Sequence, residues 1–138
     1  MNCFAFDDLQ VGMEEKFTVR VTDGMLQMFR QLSGDINPLH TDDDYAKSAG
    51  FPGKVVYGML TASFFSTLAG VYLPGKYCLL HEVKSSFVRP VFAGDTLEVS
   101  GKISHKNETF RQVEIKGGIR NQNGEMVARA VILAGVLK

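Results

Sequence analysis

The run from Gly58 to Leu73, GMLTASFFSTLAGVYL, has no proline and is apolar on nearly every side. Wound as a helix it sets Leu60, Phe64, Leu68 and Tyr72 in one i, i+4 row, with few polar residues opposite. A helix of this kind needs cover on most of its circumference. Its length falls short of the roughly 20 residues that span a bilayer, and it carries Ser63 and Ser66, so it reads as a core helix and not a membrane span. The rest of the chain must fold around it.

Most of the remainder alternates like strands. EEKFTVRV at 14–21 sets Phe17, Val19 and Val21 between polar neighbours, the period-two pattern of a half-buried strand. Thr22 then caps a short helix with an apolar stripe of Met25, Met28, Phe29 and Leu32, closed near Gly34. Pro38 pushes Asn37 out of the helical region, which predicts a turn over 35–39. Thr41 with Asp44 three residues on matches a capping box for a brief helix through Tyr45 and Ala46, ended by Gly50, Pro52 and Gly53.

From Lys76 onward four strand-like segments follow, separated by Ala-Gly-Asp, Asn-Glu and Gln-Asn-Gly turn signals, and these predict an antiparallel meander. Leu97, Val99 and Ile103 share one face, as do Val113, Ile115 and Ile119. The last strand is apolar on both faces around 131–133 and is expected to be central, or covered at a dimer contact. One strand before a buried helix and four after it predict an α+β hot-dog fold, an antiparallel sheet wrapped around one long central helix. No repeat, linker or low-complexity tract divides the chain, so residues 1–138 are expected to form a single domain.

Fifteen basic residues balance fifteen acidic ones. No net field draws such a protein onto nucleic acid or an anionic membrane, and a small uncharged partner fits better. Cys3 and Cys78 lie far apart, and the chain does not open on a basic stretch followed by an apolar one, so a soluble cytoplasmic protein is expected. Asp42, Asp43 and Asp44 lack the spacing of a calcium loop and are read as helix-capping residues, and no metal site is expected. His81 and His105 have no acidic or nucleophilic partners in sequence and receive no role.

Within GDINPLH at 34–40, Asp35 and His40 stand five apart. On a continuous helix they would diverge, whereas a turn at Asn37-Pro38 lets them converge. By spacing alone the segment is an ordinary Asx turn. GDINPLH, followed by VVYGMLTASFFS at 55–66, resembles the MaoC-like family of (R)-specific enoyl-CoA hydratases, with FVRPVFAGDTL at 87–97 as wider support for the hot-dog fold.

The resemblance spans nearly the whole chain and implies addition of water across C2–C3 of a 2-enoyl thioester, or the reverse dehydration. It implies Asp35 and His40 as the catalytic pair, Asn37 as a brace of the turn, Gly58 as a backbone donor to the thioester carbonyl, and Ser66 close to the pair. The implied partner is an acyl-CoA or acyl-carrier-protein thioester, with coenzyme A or phosphopantetheine part of the substrate and no other cofactor. Where many members have histidine before the helix glycine, this chain has Tyr57, a bulkier donor that does not titrate near neutral pH, which bears on substrate length and carrier. Lys54, Lys76, Lys84 and Arg89 are candidate phosphate contacts or plain surface charges.

The chemistry asks for such residues independently. Water needs a base with a pKa near neutrality, which histidine at about 6.5 supplies. The enolate oxygen needs preorganised donors, which a glycine at a helix start offers through its free N–H and open approach. Ser66 lies within about a quarter turn of Gly58 on a helix and is expected to face the same pocket. One helix under one sheet leaves an apolar face to cover, so a homodimer is expected, with the acyl tunnel near its contact. Two rival readings remain: a hot-dog thioesterase, and a non-catalytic acyl-thioester-binding subunit.

Overall fold

The computed structural model describes residues 1–138. Five strands, β1 (Glu14–Arg20), β2 (Cys78–Phe87), β3 (Thr96–Asn107), β4 (Gln112–Arg120) and β5 (Met126–Val136), form one antiparallel sheet in the order β1-β3-β4-β5-β2. The helix α4 (Gly58–Thr67) continues into a π-helical turn at Leu68–Tyr72, and together they lie against one face of the sheet. This is the hot-dog arrangement. The alternation read at 97–103 and 113–119 places Leu97, Val99, Ile103, Val113, Ile115 and Ile119 in the core, all buried.

Two glycines set how closely helix and sheet approach. Gly101 on β3 and Gly117 on β4 are cross-strand partners. A Cβ at Gly101 would fall 2.6 Å from Leu68 Cδ2, and one at Gly117 would fall 2.9 Å from Phe65 Cε1. The missing side chains form a notch into which Phe65 and Leu68, both fully buried, are seated.

The four C-terminal strands are not one meander. β3, β4 and β5 follow in order, but β2 pairs with β5 at the far edge, not with β3. The connection at 88–95 is too long for a tight hairpin. It passes the start of α4, where Val56 N–H donates to Val91 O at 2.7 Å and Val55 pairs with Phe92, before the chain enters β3 beside β1. β5 is interior, between β4 and β2.

Helix α1 (Asp23–Ser33) starts where expected: Thr22 Oγ1 accepts the Met25 N–H at 3.3 Å, and Gly34, at φ 74°, closes it. Its apolar stripe is only partly covered. Leu26 is buried, whereas Met28 and Leu32 are 63% and 84% exposed. The expected Thr41 capping box does not form. Pro38–Thr41 is already one helical turn, α2, with Thr41 Oγ1 donating back to Asn37 O at 3.3 Å. Asp42 is extended instead, and its Oδ1 accepts N–H from Asp44 and Tyr45 to cap α3 (Asp43–Ser48). Asp43 Oδ1 accepts the Lys54 N–H at 3.0 Å, so two of the three aspartates serve local backbone groups.

Candidate active site

The turn after α1 is built from side-chain oxygens standing in for backbone ones. Asp35 Oδ1 accepts the Asn37 N–H at 3.0 Å, and Asn37 Oδ1 accepts the Leu39 N–H at 2.9 Å. Two short Asx links thus lead into Pro38, whose fixed φ and missing N–H suit the first position of α2. Asn37 braces this turn as its N-cap.

Both ends of the turn are tied to the same short segment, residues 55–57. Tyr57 Oη donates to the backbone carbonyl of Asp35 at 2.7 Å. Val55 N–H donates to Leu39 O at 3.0 Å, and Val55 O lies 2.7 Å from His40 Nδ1. A carbonyl only accepts, which assigns the ring proton to Nδ1 and leaves the Nε2 lone pair free in the neutral imidazole. Asp35 and His40 make no direct hydrogen bond or ion pair with one another; each is held through residues 55–57.

Tyr57 is 2% exposed, and its ring lies between Phe29, at 4.9 Å between centroids, and His40, at 4.2 Å. Burial first, and the Asp35 carboxylate second, push its phenol above the ordinary value of 10.0, against the opposing influence of Arg30. Tyr57 therefore stays a protonated donor.

Tyr57 is also the residue from which α4 starts. The N–H groups of Gly58, Met59 and Leu60 find no acceptor in the protein, and the first helical bond is Thr61 N–H to Tyr57 O at 3.1 Å. Free donors and the positive end of the helix dipole meet there. A cavity of about 340 Å³ opens at this point, lined by His40, Gly58, Thr61, Phe87, Arg89 and Val127 among others. Its wall is mostly apolar, with His40 and the start of α4 as its chemically active margin.

A MaoC like domain model matches residues 8–123, most of the chain. The chain belongs to the MaoC-like family. An (R)-specific enoyl-CoA hydratase from Aeromonas caviae is 33% identical over 127 residues, covering 88% of this chain and 95% of that protein. The solved structure of an (R)-hydratase from A. caviae superposes with a TM-score of 0.89 at 31% identity, over 93% of this chain and 97% of that one. An unliganded R-hydratase from Pseudomonas aeruginosa superposes at 0.91 with 28% identity, over 97% of this chain and 86% of that one.

In this MaoC-like chain the residues singled out by sequence do not all meet at the cavity. His40 and Gly58 line it together. Asp35 is exposed on the adjoining turn, and Tyr57 spends its hydroxyl on that turn. Ser66 lies on an exposed face of α4, its hydroxyl makes no hydrogen bond within the chain, and it is not part of the cavity wall. Of the basic residues, Arg89 reaches the cavity but is held by Glu125 Oε2 at 3.3 Å, and Lys54 pairs with Asp23 at 3.1 Å. Contributors that escaped the sequence reading include the Val55 carbonyl, Thr61, Phe87 and Val127. The first is a backbone atom that any residue would supply, and Val127 arrives from a strand about seventy residues away in sequence. Thr61, one turn beyond Gly58, carried a positional signal.

Proposed function

We propose that this chain is an (R)-specific 2-enoyl thioester hydratase and 3-hydroxyacyl thioester dehydratase, with Asp35 and His40 as its acid–base pair. The observation that carries the reading is that His40 and the unpartnered N–H of Gly58 line one cavity, while Tyr57 ties the Asp35 turn to the same helix start. Similarity to (R)-specific hydratases over almost the whole chain supports the substrate class.

In the proposed reaction the thioester carbonyl accepts from Gly58 N–H. Water, held between the free Asp35 oxygen and His40 Nε2, bonds to C3 as His40 takes its proton. The enolate charge builds on the oxygen facing the helix start, where fixed donors stabilise it at little reorganisation cost. The proton is returned at C2 through the pair, so water adds without net proton change. The chemistry calls for no metal or prosthetic group; the coenzyme A or carrier-protein arm belongs to the substrate.

The protein is further proposed to act in the cytoplasm; no helix of the chain is long and apolar enough to cross a membrane. It is also proposed to act as a homodimer. β2 is an edge strand with exposed Leu79 and Leu80, an open pairing edge with apolar side chains that suits a second copy.

Loss of enoyl absorbance with crotonyl-CoA tests the reading, with free thiol followed in parallel. Hydration is expected, and His40→Gln and Asp35→Asn should each lower turnover by about 10²–10⁴ while remaining folded. Thiol release without hydration would turn the reading into a thioesterase. Binding without turnover would leave a carrier-binding subunit.

A further inference from the structure

The inner end of β2 places Phe87 directly on the helix start. A Cβ built on Gly58 would lie 3.3 Å from Phe87 Cε1 and 3.3 Å from Phe87 Cζ, so the ring rests on the bare Cα of the glycine. Phe87 lines the same cavity as His40 and Gly58, yet is 52% exposed: one side of the ring is held by the helix and the other is uncovered. It forms a hydrophobic wall beside the unpartnered Gly58 N–H.

We infer that Phe87 sets substrate specificity at C2, excluding enoyl thioesters that carry a branch on the carbon next to the carbonyl. The inference rests on the hydratase reading above. A carbonyl oxygen bonded to Gly58 N–H at about 2.9 Å brings C1 and then C2 beside the glycine, each carbon–carbon bond being about 1.5 Å. A methyl group on C2 would project into the space that Phe87 occupies. Groups on C4 and beyond lie two or more bonds further along and extend past the ring. Phe87 therefore discriminates by position of branching and not by chain length. Gly58 and Phe87 act as a pair, because the absent side chain of one admits the ring of the other.

The test compares crotonyl-CoA with tigloyl-CoA, its 2-methyl analogue, in the parent, Phe87→Ala and Phe87→Leu. A single methyl group in a hydrophobic site is worth about 10- to 200-fold. The parent should favour crotonyl-CoA by a factor in that range. The tigloyl-to-crotonyl ratio of kcat/KM should rise about 10- to 100-fold in Phe87→Ala and by less in Phe87→Leu, whatever the absolute rates. A role confined to structure would lower both rates together and leave the ratio unchanged, which overturns the inference. Equal use of both thioesters by the parent also overturns it. Failure of the parent to hydrate either compound is a different result: it removes the hydratase reading itself. Should Phe87→Ala not fold, the ratio in Phe87→Leu decides.

Discussion

The two ends of the α4 environment are built in opposite ways. Where its later turns meet the sheet, side chains are removed so that others fit: Gly101 and Gly117 leave the notch that Phe65 and Leu68 fill, and nothing polar intrudes. At its first turn the polar groups are left unfilled, with three N–H donors lacking an acceptor and a cavity open beside them. Close packing serves stability, and unspent hydrogen-bonding capacity serves chemistry. Because the two lie at different positions along one helix, they should be separable by mutation.

The strongest challenge to that separation is Gly101→Ala. The new methyl meets Leu68 at 2.6 Å and Ile115 at 2.8 Å, and overpacking of this kind costs about 1–3 kcal/mol. The urea midpoint should fall at unchanged slope, while turnover per folded molecule at low temperature is retained. A parallel loss of turnover would show that the notch also positions the site.

Tyr57→Phe probes the boundary between the two regions. It removes the bond to the Asp35 carbonyl, worth about 0.5–1.5 kcal/mol, and should lower turnover as the turn loosens. It also carries a pH signature. The folded phenol is raised above 10.0, so its contribution is complete below pH 10 and is lost as pH climbs beyond it through the raised folded value. Denaturation between pH 9 and 11 should show a decline in the parent from which this component is missing in the variant.

The smallest effect is expected at Ser85, whose Oγ is buried without a hydrogen-bond partner on β2. Ser85→Ala should be neutral or stabilising by up to about 1 kcal/mol, since it removes a desolvated hydroxyl that gains nothing in return. A clear loss of stability would mean that the hydroxyl is satisfied in the assembled protein, and would enlarge the functional region at the expense of the packed one.

Local periodicity made much of this legible in advance. Alternation exposed the buried faces of β3 and β4, and Thr22 and Gly34 marked both ends of α1, because each signal lies within a few residues of what it determines. Strand order was not legible, since the pairing of β2 with β5 depends on how residues 88–95 cross the start of α4. Thr41 and Asp42 are both able caps, and the turn begun by Pro38 decided between them. At the site, Asp35, His40 and Gly58 stood out by residue type and order. The device that holds them did not: it runs through the carbonyls of Val55 and Asp35, and a backbone oxygen has no letter of its own in the sequence.

The position of β2 beside β5 has a consequence for synthesis. Residues 58–72 are made long before residues 126–136, yet β2 has no neighbour in the sheet until β5 is present. At about 5–20 residues per second, a nascent chain would hold its most apolar helix and an unpaired strand for on the order of several seconds before the sheet can close. The ribosome-bound chain is therefore expected to be at its most chaperone-dependent in that interval, and far less so once the last strand has emerged.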